Sequence, residues 1–217
     1  MSHRVGSQEF WDELYRSHGS VWSGEPNESL VKEVSSLPAG TAFDVGCGEG
    51  ADAIWLARRG WRVTAIDISG VALERAKKSA IQSGEEVAGR IEWVRADLTR
   101  SAPADASYDL VCSFFMHLPK AERDVLFRSL ADLVAPGGSL LIVGHHPSDL
   151  DVPVNRPKAP DLFYTATEVA GLLGPGQWHV VVEAADPRPA KGRDGQRVTV
   201  HDAVLHALRI SSNATLG

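Results

Sequence analysis

The stretch Phe43-Asp44-Val45-Gly46-Cys47-Gly48-Glu49-Gly50 decides the fold, because it joins an apolar run at residues 41–45 to a helical pattern at residues 51–59. Glycines at such a strand-to-helix turn let backbone N–H groups approach a ligand closely, and the N-terminus of the following helix favours negative charge. The sequence therefore predicts a ligand-binding turn between the first strand and the first helix of an α/β fold.

Beyond this turn, short apolar runs alternate with helical patterns as far as residue 144. Strand-helix alternation of this kind predicts a parallel sheet that is covered by helices on both faces. The predicted strands are residues 41–45, 62–66, 91–94, 108–115 and 140–144, and the predicted helices are residues 51–59, 71–83 and 121–134. In the last helix, one apolar face is predicted to carry Val125, Leu126, Leu130 and Leu133.

The C-terminal part of the chain breaks the alternation. Thr165-Ala-Thr-Glu168 is a capping box that predicts a short helix through Leu173. Two apolar runs, residues 178–184 and 199–208, then follow without a helical pattern between them. The polar link at residues 186–197 predicts an exposed hairpin loop, so one of these two strands should be antiparallel to the rest of the sheet.

Two segments lie outside the sheet pattern. Residues 8–37 predict two short helices around a turn at residues 22–27, and residues 147–164 carry four prolines and predict a long ordered loop. Loops of that length inside a compact domain are usually functional or disordered. The aromatic residues Trp11, Tyr15 and Trp22 are expected outside the core, either holding the N-terminal helices to the sheet or forming a lid.

Composition excludes several classes of protein. A chain of 217 residues with 43% hydrophobic residues can fold as one domain without disulfides. A net charge of −6 makes nucleic acid an unlikely partner. Cys47 and Cys112 form neither a disulfide framework nor a zinc pattern. Without an apolar leader or a membrane-length apolar run, we expect a cytoplasmic protein.

Three acids follow three successive predicted strands: Asp44, Asp67 and Asp97. Asp67 lies seventeen residues beyond Gly50, where a carboxylate can accept hydrogen bonds from both hydroxyls of a ribose. A carboxylate at Asp97 can accept a hydrogen bond from an adenine amino group. Together the three acids predict a nucleoside site along one edge of the sheet.

Two cofactor classes use such an edge. The pattern Gly46-x-Gly48-x-x-Ala51 fits the loose dinucleotide fingerprint, so an NAD(P)-dependent oxidoreductase is one hypothesis. Three features argue against it: the acid Asp44 two residues before the first glycine, the third acid Asp97, and a C-terminal hairpin that leaves no room for a separate substrate domain.

With these motifs in place, the sequence resembles the class I S-adenosylmethionine-dependent methyltransferases over nearly its whole length. Residues 44–50 resemble the first motif of that family and Asp67 its ribose-binding acid. Ala96-Asp97-Leu98 resembles the adenine site, and residues 135–138 resemble the turn before strand five. The shorter pattern Trp22-x-Gly24-x-Pro26-Asn27 is similar to the small-molecule branch near the tellurite-resistance and thiopurine methyltransferases.

The resemblance implies a Rossmann-like, seven-stranded, mostly parallel sheet of order 3-2-1-4-5-7-6 with strand 7 antiparallel. It implies one domain over residues 1–217, made of an N-terminal helical cap (1–38) and a core (39–217). The implied cofactor is S-adenosyl-L-methionine, with S-adenosyl-L-homocysteine as product. The residues implied to bind it are Trp22, Asp44, Gly46, Cys47, Gly48, Asp67, Ile68, Ala96, Asp97, Leu98, Ser113 and Phe114.

Methyl transfer from a sulfonium is an in-line displacement, which depends mainly on alignment of the reacting atoms. A base is needed only when the nucleophile must lose a proton. His117 and His146 follow strands 4 and 5 at the edge where ligands bind such sheets, so either is a candidate base. The alternative for each is a structural histidine.

No metal is expected. His145 and His146 are adjacent on a strand and point to opposite faces, so both cannot easily bind one ion. Asp149, Asp151 and Asp161 follow in the proline-containing loop and leave a metal site as the alternative.

The expected function is therefore methyl transfer to an oxygen, nitrogen, sulfur or chalcogen nucleophile of a small molecule, enclosed by the N-terminal helices and the 147–164 loop. A protein that binds the cofactor without catalysis is a further alternative. The sequence carries no signal for the oligomeric state.

Overall fold

A seven-stranded sheet forms the centre of the computed structural model, which describes residues 6–99, 106–154, 156 and 159–211. Its strands are β1 (Thr41–Val45), β2 (Arg62–Asp67), β3 (Ile91–Arg95), β4 (Tyr108–Phe114), β5 (Val134–His145), β6 (Trp178–Lys191) and β7 (Arg197–Arg209). They are arranged in the order β3-β2-β1-β4-β5-β7-β6. Strands β1 to β5 pair in parallel, and β7 is antiparallel to both β5 and β6. The predicted strand order and the antiparallel strand 7 are confirmed.

Seven helices belong to the described residues: α1 (Gln8–Ser17), α2 (Glu28–Val34), α3 (Ala51–Arg58), α4 (Gly70–Gln82), α5 (Glu85–Ala88), α6 (Lys120–Asp132) and α7 (Ala166–Ala170). The two N-terminal helices begin at side-chain caps, since Ser7 and Asn27 accept hydrogen bonds from N–H groups of the first turn. The predicted capping box of Thr165 and Glu168 is present, although its helix ends at Ala170 rather than Leu173. No helix among these is both long and apolar enough to cross a membrane.

The core lies on both faces of the sheet. Alternate residues of a strand point to opposite faces, and in β1 this places Ala42 with α3 and Trp61, but Phe43 and Val45 with α6. The side chain of Trp61 is only 2% exposed, and burying a side chain of this kind contributes roughly 2–3 kcal/mol to folding. Parallel strands that are covered on both faces therefore carry continuous apolar runs, as the sequence indicated.

The link at residues 186–197 is not the predicted exposed loop. Strand β6 continues to Lys191 and β7 begins at Arg197, so the connection is residues 192–196. In β6 exposed and half-buried residues alternate, because it is an edge strand with only one covered face. Pro187 and Pro189 fit there, since an edge strand has a side that needs no N–H donor.

The predicted apolar face of α6 is also wrong in one position. Val125 is 62% exposed, whereas Leu126, Leu130 and Leu133 are buried. Neighbouring residues on a helix point about 100° apart, so Val125 lies outside the stripe that its neighbour Leu126 belongs to.

The region of the predicted proline-containing loop holds two short 3₁₀ turns, Pro147–Asp149 and Pro160–Leu162. Three of its residues, at positions 155, 157 and 158, lie outside the described residues.

Candidate active site

The glycine loop, residues 46–50, lies at the carboxyl end of β1. Gly46, Gly48 and Gly50 have φ angles of 74°, 52° and 84°, a region that favours glycine. A Cβ atom on Gly50 would also lie 2.6 Å from the ring of Trp93. The N–H groups of Gly46 and Cys47 both donate to the carbonyl of Ile66, at 2.9 and 3.0 Å. Backbone geometry and packing thus explain why this loop requires glycine.

Asp67 lies at the end of β2 and holds the same loop. Its Oδ2 accepts a hydrogen bond from the N–H of Gly48 at 2.9 Å, and its Oδ1 accepts one from Ser69 at 2.8 Å. Burial raises the pKa of this carboxyl, although the two N–H donors oppose the shift. Each carboxylate oxygen can accept two hydrogen bonds, so capacity remains for the hydroxyls of a ligand.

Asp44 and Ser113 occupy adjacent strand ends in β1 and β4. Oδ2 of Asp44 and Oγ of Ser113 are buried and have no hydrogen-bond partner among the described residues. Burial, followed by the charges of Asp52 and Asp67, raises the pKa of Asp44 well above its ordinary value. Buried polar atoms are nearly always hydrogen-bonded. An unpartnered carboxylate oxygen beside a glycine loop therefore fits a ligand that brings a cationic or hydrogen-bond-donating group.

A cleft of about 730 Å³ continues along the strand ends from Asp67. Ile68, Ala96 and Asp97 line one wall, and the N-terminus of α1 lines another. Oδ1 of Asp97 accepts hydrogen bonds from both the N–H and the hydroxyl of Thr99. This cleft lies beside Asp97, where the sequence predicts the adenine site.

The remaining predicted cofactor residues divide between this edge and the core. Leu98 is partly buried against the core cluster that includes Phe43 and Leu126, and Phe114 is partly buried against the cluster that includes Ala42 and Ile54. Cys47 is 7% exposed, and burial raises the pKa of its thiol well above the ordinary value. The Cys47 side chain is therefore a packing group, although its backbone belongs to the loop.

Glu49 connects the glycine loop to the N-terminal segment. Its Oε2 accepts hydrogen bonds from the N–H groups of Val21 and Trp22, at 3.0 and 3.2 Å. Its Oε1 forms an ion pair with Arg75 at 2.9 Å. Arg75 in turn donates to the carbonyls of Tyr15 and His18. The segment between α1 and α2 is thus attached to the glycine loop itself.

Two aromatic side chains lie over Gly48: Tyr15 of α1, and Trp22 of the segment between α1 and α2. Nε1 of Trp22 donates to Oη of Tyr15 at 2.9 Å. A Cβ atom on Gly48 would lie 3.0 Å from the Tyr15 hydroxyl and 3.3 Å from Trp22 Nε1. The expectation that these residues lie outside the core is wrong for Tyr15, which is 2% exposed, whereas Trp22 is 49% exposed.

The structure does not bring the two candidate bases together. The ring of His117 lies 5.5 Å from that of His145, centre to centre, at the ends of β4 and β5. The ring of His146 instead lies 6.5 Å from His201, and its Nδ1 accepts from the N–H of Ser148. Neighbouring strand residues face opposite ways, and this separates His146 from His117.

Sequence reasoning therefore missed His145 as the partner of His117. The alternation of β5 shows only that His145 and His146 lie on opposite faces, because the strand is buried on both of them. Burial lowers the pKa of His117 to about 4. Burial lowers the pKa of His145 to about 2. Both imidazoles are consequently neutral near pH 7. Within the described residues, no group of three or more histidine, cysteine or acidic side chains is arranged to hold a metal ion.

Comparison with known proteins agrees with this geometry. Residues 42–138 match the family model of a methyltransferase domain. Over 110 residues, 49% of this chain, the sequence is 38% identical to an uncharacterized methyltransferase of Mycobacterium tuberculosis, and the alignment covers 52% of that protein. The chain spans about half the length of the curated relatives it matches.

Solved structures extend the likeness to the whole fold. A structure from work on the conversion of a disulfide bond into a thioacetal group during echinomycin biosynthesis has a TM-score of 0.71, with 19% identity over 95% of this chain and 93% of that one. TehB from Haemophilus influenzae has a TM-score of 0.69, with 17% identity over 93% and 66% of the two chains. Residues 42–138 thus match a methyltransferase domain, and the solved structures share the fold of nearly the whole chain.

Proposed function

We propose that this protein transfers the methyl group of S-adenosylmethionine to an oxygen, nitrogen or sulfur atom of a small molecule. The observation that carries the proposal is the arrangement of Asp44, Asp67 and Asp97 at the ends of adjacent strands, with the glycine loop between the first two. This arrangement suits a ligand that has an ammonium group, a ribose and an adenine in sequence. A dinucleotide gives no reason for the unpartnered carboxylate of Asp44.

Each part of the cofactor has residues that would hold it. Asp44 and the loop N–H groups suit the amino-acid end, Asp67 suits the ribose hydroxyls, and Ile68, Ala96 and Asp97 suit the adenine. When bound, the cofactor supplies an electrophilic methyl group on a sulfonium. The protein's part is then to exclude water, orient the acceptor and accept or release a proton.

A small acceptor is favoured by the N-terminal segment. Trp22 and Tyr15 cover Gly48, and Glu49 and Arg75 fix that cover to the loop. A site that is covered from one side in this way leaves limited room for a macromolecule. The net charge of −6 argues further against a nucleic-acid acceptor.

Calorimetric titration with S-adenosylhomocysteine tests cofactor use, with NADPH as the comparison ligand. We expect binding of the first and not of the second. A folded protein that fails to bind S-adenosylhomocysteine at millimolar concentration contradicts the proposal, and binding of NADPH alone supports the oxidoreductase alternative.

Transfer is tested with methyl-labelled cofactor and a panel of thiols, phenols, amines and chalcogen anions. Label in any of these acceptors supports the proposal and names the nucleophile. A protein that binds the cofactor and labels none of them corresponds to the non-catalytic alternative.

A further inference from the structure

Five ring side chains gather beyond the ends of β4 and β5. We call them the aromatic cluster: Trp11, Phe115, His117, His145 and Phe163. His145 is at its centre, with ring-centre distances of 4.8 Å to Phe115, 5.5 Å to His117 and 5.6 Å to Phe163. Trp11 of α1 lies 5.8 Å from His117 and closes one side.

The aromatic cluster adjoins the glycine loop and is open on one side. A Cβ atom on Gly46 would lie 3.2 Å from the terminal methyl of Met116, so residues 115–117 run directly beside the loop. His145 and Phe163 are buried, whereas Trp11, Phe115 and His117 are partly exposed. The exposed rings thus form a surface next to the proposed methyl donor.

Two features of the aromatic cluster have no explanation within the protein. Nδ1 of His145 is buried and has no hydrogen-bond partner in the part of the chain that the structure describes. Phe115 has a φ angle of 51°, which a bulky residue rarely adopts and which is retained in proteins mainly at functional sites. An unpaired ring nitrogen and a strained aromatic residue in direct contact with each other both indicate a ligand site.

The charges around the aromatic cluster favour a neutral ligand. The guanidinium carbon of Arg188 lies 5.9 Å from the centre of the Phe115 ring, and Nε of Arg188 donates to Asp202. Because Arg188 is paired with Asp202, it offers no uncompensated charge to attract an anion, and no acid of the aromatic cluster itself offers a charge to attract a cation. The neutral imidazoles of His117 and His145 can each accept a hydrogen bond from a hydroxyl group.

We propose that the aromatic cluster binds the methyl acceptor, and that this acceptor is a neutral, flat aromatic molecule whose hydroxyl group is hydrogen-bonded by His117 and His145. The inference rests on the proposed methyl transfer. The hydroxyl oxygen attacks the methyl carbon, so a C–O bond forms as the C–S bond breaks and its electron pair stays on sulfur. The hydroxyl proton passes by way of an imidazole nitrogen to water. The products are a methyl ether, S-adenosylhomocysteine and a proton.

The test uses 2-naphthol and naphthalene, which differ by one hydroxyl group, as probes for the protein saturated with S-adenosylhomocysteine. Affinities are measured for the wild type and for His117→Phe and His145→Phe, which keep a ring at each position. Loss of the hydrogen bond should lower the affinity for 2-naphthol about tenfold. The affinity for naphthalene should stay within about twofold, since the ring contacts remain.

A third variant, Phe115→Gly, separates ring contact from hydrogen bonding. Glycine accepts the positive φ angle without strain, so the backbone is retained while one ring is removed. We expect this variant to lose affinity for 2-naphthol and naphthalene alike. The cationic probe 2-naphthylmethylamine should bind the wild type at least about tenfold more weakly than 2-naphthol, because its ammonium group would lose water in the aromatic cluster without gaining an anionic partner there.

The outcomes separate the two proposals. Failure to bind S-adenosylhomocysteine overturns the proposed function. Normal binding of S-adenosylhomocysteine without binding of 2-naphthol overturns the aromatic acceptor site alone. Equal losses of both naphthalene probes in the histidine variants, or no loss, overturn the hydrogen-bonding role, and tighter binding of the amine overturns the preference for a neutral acceptor. If His145→Phe does not fold, the partly exposed His117 carries the same comparison.

Discussion

Asp67 holds the glycine loop, and we propose that it also binds the ribose of the cofactor. It fixes the glycine loop through the N–H of Gly48, and it retains oxygen lone pairs toward the edge where a ribose would bind. Removal of its carboxylate therefore loosens the loop and removes an acceptor for the ligand at the same time.

Replacement of Asp67 by alanine should weaken binding of S-adenosylhomocysteine by about 1–3 kcal/mol, as when a buried hydrogen-bonding group is lost. Calorimetric titration measures the change. Asp132→Ala, an exposed acid at the end of α6, serves as the matched control and should bind as the wild type does. Equal affinities of the two variants would argue against a cofactor role for Asp67.

Trp22 can show whether the N-terminal segment acts as a lid over the cofactor site or only packs against the rest of the protein. Because it is half exposed and lies against Gly48, Trp22→Ala should lower the affinity for S-adenosylhomocysteine about three- to tenfold, as expected for about 1 kcal/mol of lost contact. The free energy of unfolding should fall by less than about 1 kcal/mol. Calorimetry and urea denaturation report the two quantities. Lower stability with unchanged affinity would show that Trp22 only packs.

Single residues also show where sequence reasoning stops. The positions of the glycine loop and its acids could be predicted, because they depend on local backbone geometry and on strand ends. The pairing of His145 rather than His146 with His117 depends on which face of β5 is turned toward β4's end. The burial of Tyr15 depends on α1 packing against α4, and no local pattern encodes that contact.

Among the elements, α2 depends on a carboxylate of another helix. Oδ1 of Asp52, in α3, accepts a hydrogen bond from the N–H of Asn27 at 2.6 Å, immediately before α2 begins. Burial raises the pKa of Asp52 to about 6. The folded protein thus binds a proton at Asp52 more tightly than the unfolded chain, whose aspartates have pKa values near 4.

The sign of the pH effect follows from this difference. The contribution of Asp52 to stability is fully present below about pH 4 and is lost as the pH rises through about 6. As the pH rises from about 4 to about 6, both proteins should lose stability. The free energy of unfolding should fall by about 1–3 kcal/mol less in Asp52→Asn than in the wild type, because the variant lacks this titrating group. Urea denaturation at a series of pH values measures both. Asp44 and Asp67 remain in both proteins, and loss of the Asp52 charge also makes the pKa of Asp44 less raised, which changes the pH dependence in the same direction. Identical pH dependence would therefore contradict the role of Asp52.

The limits of helices and strands were predicted most accurately where the apolar pattern of the sequence was strongest. Strand β1 is buried on both faces. Glycines flank this strand and precede α3, and the predicted limits of β1 and the predicted start of α3 match the structure. Strand β6 is buried on one face only, and its polar residues resembled a loop. Strand β5 begins six residues before the predicted position, because Pro136 and the glycines after it suggested a turn.

The molecule as a whole is held together at its C-terminal side by a buried ionic network. Arg156 forms ion pairs with Asp149 at 2.6 Å and with Asp202 at 3.1 Å. All three side chains are less than a tenth exposed. The network joins the first 3₁₀ turn to β7, and so connects the segment after β5 to the sheet.

Arg156→Ala should lower the free energy of unfolding by about 3–5 kcal/mol, because it leaves two buried carboxylates without their shared partner. Urea denaturation followed by circular dichroism measures the loss. Arg128→Ala is the control, since Arg128 is exposed and donates a hydrogen bond to a backbone carbonyl of its own helix. Its effect should stay within about 0.5 kcal/mol. Equal stability of the two variants would mean that the network contributes nothing.

The overall topology could be predicted because alternating strands and helices allow few arrangements of a parallel sheet. The cover formed by the N-terminal segment and the aromatic cluster could not. Both are assembled from residues that are far apart in sequence, such as Trp11 and His117, and their contacts depend on the finished fold.

Strand β6 has a consequence for how the protein behaves at high concentration. It is the outermost strand on one side of the sheet and exposes Val180 and Val181, and such an edge is a template for strand addition and aggregation. Pro187 and Pro189 lack the N–H donors that an incoming strand would need, and a shift in register between Val180 and Val182 interrupts the other end. The residues that made this strand look like a loop thus protect the sheet from self-association through its longest strand.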